Sequence, residues 1–255
     1  MLDAGMEVLL RDGINLGAST LRYADAFELL KNERDIKVTR GSVHERIWSS
    51  QEAWQFDVLA ASINSSEAIR RSATNTAVAE HIAELPVDTE TERWNLLAES
   101  CRVGSHAFLK TIEDHPPVRL FPTVIAAWKA SANNVAEYDQ LSRLLAETQR
   151  SAVQDLQDGL TGLLELADLE VEPSHGLSFN AAVRFYSVNT TALAYSHTLR
   201  SLHDPALAEP ISARCPDGAQ RDWNHLGLGN WLVARGLFRT RHREAGAASP
   251  KGVTA

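Results

Sequence analysis

The chain is 255 residues long and short of most features that announce a function. It has two cysteines, Cys101 and Cys215, far apart and in no paired metal-ligand spacing. That argues against a disulfide framework and against a zinc module, and leaves both as expected reduced, structural thiols. Cationic charge is scarce too: 25 Lys and Arg stand against 33 Asp and Glu, a formal net charge of −8. A protein that coats nucleic acid nonspecifically needs the opposite balance. No apolar run approaches the roughly 18–20 residues that span a bilayer, and the first residues hold no basic stretch followed by an apolar one. A cytoplasmic protein with no membrane partner is expected.

Nucleotide-binding loops are also missing. There is no Gly-Lys-Ser or Gly-Lys-Thr run and no G-x-G-x-x-G, which disfavours phosphoryl transfer and dinucleotide redox chemistry. Of the nine histidines, none lies in an H-E-x-x-H pattern or has a second His at i+4. His81, His106, His115, His175, His197 and His225 therefore read as core or surface groups rather than metal ligands. The expectation is no catalytic residue, no metal, no cofactor and no enzyme.

What the chain does have is helical spacing nearly throughout. Leu2, Met6, Leu9 and Leu10 form an i, i+4, i+7, i+8 stripe that ends at Gly13. A second helix is expected over 21–33. Thr39 is a good N-cap for a short helix from Arg40, with Val43 and Ile47 as its apolar anchor. Ser50 can cap a further helix over 51–64 carrying Trp54, Val58 and Ala61 on one face. Another follows over 67–85, ended by Pro86, and Thr89 with Glu92 has the spacing of a capping box for a helix to about 113. Pro116 and Pro117 break the chain. Leu120, Val124, Ile125 and Trp128 make the next stripe.

The stretch 135–169 is one long helix or two in line, with Gly159 and Gly162 as weak points. Residues 179–202 are apolar all round and must be buried on several sides. Over 222–238, Trp223, Gly227, Trp231, Ala234 and Phe238 share one stripe, so large rings alternate with small residues. No strand is expected, 203–221 reads as a long loop, and 241–255 reads as a disordered tail.

The segment 38–48, VTRGSVHERIW, is the most informative. Thr39-Arg40-Gly41-Ser42-Val43-His44, then Ile47, then Ser50-Gln51-Glu52-Ala53, resemble the recognition helix and following helix of TetR-family transcriptional repressors. That pattern runs Ser or Thr, a variable residue, Gly or Pro, Ser or Thr, an aliphatic residue and Tyr, then an aromatic and Ser-Lys-Glu. His44 stands where Tyr is usual, and Ser50 where a phosphate-binding Lys is common.

The resemblance implies an all-α fold: a three-helix domain with a helix-turn-helix over 1–64 and a larger helical bundle over 65–240. It implies that Arg40 and His44 lie near base edges or phosphates of a double-stranded operator, with Lys37, Thr39, Gly41, Ser42, Arg46 and Ser50 near the backbone. It implies a small-molecule effector bound between helices of the second domain, with Trp94, Phe108, Trp128, Tyr138, Phe185 and Tyr186 as lining candidates. No cluster of buried charge is evident, so an apolar or aromatic effector is expected. A homodimer through 179–202 and 222–238 is expected, with Gly227, Ala234 and Ala194 allowing close approach as in the dimer interface of that family, and with an ordinary intrachain core as the alternative for that helix pair. The other reading is a helical small-molecule-binding or protein-interaction module that has lost DNA binding.

Overall fold

A computed structural model describes residues 1–12, 21–39, 41, 47–115, 135–200 and 204–241. Among them the chain is mostly helical. Helix α1 spans Leu2–Asp12, α2 Tyr23–Arg34, α3 Gln51–Ile82, α4 Glu90–Asp114 and α5 Val135–Leu166. Strand β1 (Leu169–Val171) and helix α6 (Phe179–Arg200) follow, then β2 (Ile211–Arg214), β3 (Gln220–Trp223), α7 (His225–Leu237) and β4 (Phe238–Thr240).

The strands correct an expectation. Where a loop was read over 203–221, β2 and β3 form an antiparallel hairpin pairing Ile211 with Trp223 and Arg214 with Gln220. Strand β4 returns to pair with β1, Val171 opposite Phe238. Strands of three or four residues are too short to display an alternating pattern, which is why the sequence hides them. The hairpin turn is legible only afterwards: Gly218 takes φ +85°, and the Asp217 carboxylate accepts from the Ala219 amide at 3.0 Å.

Two helices were expected over 51–64 and 67–85, but one continuous helix of 32 residues runs through Ser66. At 1.5 Å per residue it is about 48 Å long. Ser50 caps it by accepting from the Ala53 amide at 3.1 Å, and the capping box at Thr89 and Glu92 starts α4 as expected. Helix α5 is likewise unbroken across Gly159 and Gly162. A single glycine costs a helix interior only about 1 kcal/mol, which packing outweighs.

These two long helices join two hydrophobic cores. The first gathers Ala4 and Val8 of α1, Ala26 and Leu29 of α2, Trp54 and Val58 of α3, and Leu141 of α5. Its crossing of α1 on α3 is close, because a Cβ on Gly5 would meet Val58 Cγ2 at 2.6 Å. The second gathers Leu96 and Leu97 of α4, Leu160 and Leu164 of α5, Val183 of α6 and Trp231 of α7, closed by Trp223 and Phe238. Among the described residues no helix is long and apolar enough to cross a membrane.

Candidate functional site

The first candidate surface lies between α2 and α3. Helix α2 ends at Asp35, whose φ of +50° is left-handed, and the Ile36 amide donates back to the Leu30 carbonyl at 3.0 Å. The chain then runs exposed through Lys37 and Thr39. Arg40, Ser42, His44 and Arg46 lie outside the described residues, as does Val43, while Gly41 is helical and exposed. Ile47 does not anchor this segment as its spacing suggested, for it is 62% exposed. Trp48 does so instead: its ring is buried and its indole N–H donates to Asp57 at 2.7 Å.

The start of α3 is locked to α2. The Tyr23 hydroxyl donates to the Ser50 carbonyl at 2.9 Å, and its ring stacks on Trp54 at 4.8 Å. Ser50 spends one lone pair of its side-chain oxygen on the cap.

The second candidate is a cavity of about 540 Å³ between α3, α4, α5, α6 and α7, a volume suited to a drug-sized molecule. Helix α3 contributes Thr74, Val78 and Ile82; α4 contributes Leu97, Cys101 and Phe108; α5 contributes Asp155, Leu156 and Leu160. Helix α6 adds Tyr186, Thr190 and Thr191, and α7 adds Leu226 and Asn230. Gly104 lets α3 approach α4, since a Cβ there would lie 3.1 Å from Val78 Cγ2.

Of the expected lining residues, Phe108 and Tyr186 do line the cavity. Trp94 does not: it is buried in the core, edge-on to Trp231 at 5.8 Å with the Arg235 guanidinium 4.1 Å above its ring. Phe185 is 51% exposed and points to the outer side of α6, because residues adjacent in a helix face about 100° apart. Trp128 and the side chain of Tyr138 lie outside the described residues.

Sequence reasoning missed Asn230, whose one signal is being the lone amide in the apolar run of α7. It also missed Thr190 and Thr191, which sit among apolar residues of α6. Cys101 lies 3.3 Å from the Tyr186 hydroxyl. Burial pushes the Cys101 thiol up to about 11, against a weaker pull from Tyr186, and burial raises the Tyr186 phenol well above its ordinary value. Both groups stay neutral, so the cavity holds no reactive thiolate.

Beside the cavity a cluster of buried charge contradicts the expectation that none exists. Glu99 of α4 is 2% exposed. His81 Nε2 lies 3.0 Å, Arg102 Nη2 2.6 Å and Arg221 Nε 3.3 Å from its carboxylate. Burial pushes its pKa up, but hydrogen bonds from Arg102 and His81 and the charge of Arg221 outweigh that and hold it below the ordinary value. Arg221 also binds Asp217 at 2.6 Å, which pulls that carboxyl down to about 2. The cluster ties the C-terminal end of α3, α4 and the β2–β3 hairpin together. Arg102 lies three residues from Glu99, a spacing that any exposed helical pair shares, while His81 and Arg221 are distant in sequence, so no local pattern reveals the cluster.

Among the described residues no group of three His, Cys, Asp or Glu is placed to hold a metal ion. Glu172 and His175 have a Glu-x-x-His spacing, but Glu172 caps a 3-10 turn that His175 ends, Glu172 accepting from the Ser174 amide and His175 bonding to the Gly236 carbonyl. Comparison with protein-family models, with curated proteins and with solved structures returns no match.

Proposed function

We propose that the chain is a TetR-like DNA-binding transcriptional regulator, a repressor released from a palindromic operator when a small, largely apolar effector enters the cavity. The observation that carries this reading is α3. Its first turn is fixed to α2 immediately after the recognition segment, and its last three turns supply Thr74, Val78 and Ile82 to the cavity wall. An occupant that displaces the wall tilts the same rigid rod that carries the recognition segment, and a packed helix transmits that displacement rather than absorbing it.

Dimerisation supplies the second recognition segment. The outer side of α6 and α7 exposes Phe185, Val188 and Leu193 together with Leu232, which is 61% exposed. A two-fold contact through that face buries them and places two recognition segments one DNA turn, or a multiple, apart. Gly227 has no part in it, for a Cβ there would lie 3.1 Å from the Cys101 carbonyl oxygen of the chain's own α4.

The test is a genome-wide DNA-binding selection followed by affinity measurement on the selected site at several salt concentrations. Binding that weakens with salt, and by about 1–3 kcal/mol on Arg40→Ala, is expected. Unchanged affinity in a folded Arg40→Ala protein overturns the reading. One observation favours the alternative of a ligand-binding module without DNA binding: residues 1–60 hold 7 basic and 10 acidic side chains, a net of 7 − 10 = −3. Failure to select any site, with effector binding intact, establishes that alternative.

A further inference from the structure

The polar groups on the cavity wall are biased toward one half of hydrogen bonding. Ser100 donates its hydroxyl proton to the Leu96 carbonyl at 2.8 Å, and Ser105 to Arg102 at 2.9 Å. Thr148 donates to Leu144 at 2.9 Å and Thr191 to Ser187 at 2.9 Å. All four line the cavity. A hydroxyl has one proton and two lone pairs, so each has spent its donor on its own helix and offers the cavity an acceptor.

Asn230 adds to this. It is 6% exposed, lines the cavity, and its side-chain oxygen has no hydrogen-bond partner. A buried amide oxygen left unpaired is costly, and turning the side chain onto a donor of an occupant relieves that cost. The hydroxyl oxygen of Thr74, across the cavity on α3, is also buried without a partner. None of the described lining residues is Lys, Arg or His, and the carboxylates among them, Asp155 and Asp158, carry the same sign as an anionic occupant. An anion taken out of water here meets no described cation to replace its hydration.

We propose that this cavity, on the reading of it as the effector site, takes a non-anionic, largely apolar molecule that presents hydrogen-bond donors, a phenol or alcohol on a ring skeleton, with Asn230 as its principal acceptor. The apolar walls from Leu97, Phe108, Leu156, Leu160 and Leu226 hold the skeleton. The acceptor-rich wall selects a hydroxyl over its methyl ether, and the lack of described cations disfavours carboxylates and phosphates. This narrows the apolar or aromatic expectation to molecules with donors.

The test uses the full chain without DNA. N-phenyl-1-naphthylamine, a neutral dye that fluoresces in apolar cavities, is titrated in and then displaced by 2-naphthol, 2-methoxynaphthalene or 2-naphthoate, which share one skeleton. The expected order is naphthol first, the methyl ether about tenfold weaker for the loss of one donor, and the naphthoate weakest. In Asn230→Leu the naphthol preference shrinks while the methyl ether binds as before. Naphthoate binding as well as naphthol, no difference between naphthol and its ether, or no dye binding at all overturns the proposal. If the variant does not fold, the wild-type order decides alone. Because no DNA is present, failure of operator release leaves this result intact, and a wrong order here leaves the effector reading to its own test.

Discussion

Single residues set distinct dependences on acid. Glu99 has a depressed pKa, so its contribution is complete above the unfolded carboxyl value of roughly 4.3 and is lost as pH falls through the folded value. His197 behaves differently: burial first, and then the charge of His225, push its pKa below the ordinary value. The folded state resists its protonation, so stability declines as pH drops from about 6.5 toward that lower value. Denaturation midpoints measured from pH 7.5 to 5.5 should therefore fall, and His197→Gln should flatten the decline over that window while leaving the loss below pH ~4.3. Glu99→Gln at pH 7 should cost about 2–3 kcal/mol by denaturant unfolding. That is toward the low end for a broken buried pair, because Arg102 and Arg221 keep 22% and 28% of their side-chain surface in water. A loss under about 0.5 kcal/mol, the scale of an exposed pair, would show that the cluster does not hold the hairpin.

At the scale of elements, the helices were readable and their junctions were not. The caps at Ser50 and Thr89 and the apolar stripe of α1 act through neighbours three or four residues away, so sequence displays them. Whether α3 stops near residue 65 depends on what its middle packs against, and that information is tertiary. The same holds for Phe185 and Tyr186, which have equal claim to a cavity by composition but face different sides of α6. Of the two readings of the 222–238 stripe, a contact between protomers or an intrachain core, Gly227 takes the second, for it admits α7 onto α4 within one chain. Gly227→Leu should therefore destabilise the fold by about 1–3 kcal/mol through overpacking, seen as a lower thermal midpoint that does not depend on protein concentration. The continuity of α3 has its own test. Ala73→Pro, at an exposed position in the helix, removes a backbone hydrogen bond and costs about 3 kcal/mol. It should preserve dye binding in the cavity and abolish effector-driven release from DNA, and a variant that still releases normally would rule out α3 as the link.

For the whole molecule, the mostly helical class followed from spacing, but the pairing of β1 with β4 and the charge cluster needed distant segments brought together. The exposed apolar side of α6 and α7 carries the expectation of a dimer. Leu232→Glu, which places a charge there without touching either core, should convert the protein to a monomer in sedimentation at micromolar concentration. A wild-type protein that sediments as a monomer would remove the two-fold operator from the proposal. The two long helices have a consequence for how the protein can be divided. Because α3 and α5 each contribute side chains to both hydrophobic cores, no cut in the chain yields a half with a complete interior. A fragment covering 1–64 lacks Leu141 and the α5 side chains packed against the same core, so it should not hold its shape as an independent unit. Grafting it onto another sensor would fail for the same reason. Heating the intact chain should produce one calorimetric peak, since melting either end strips the other of its supports.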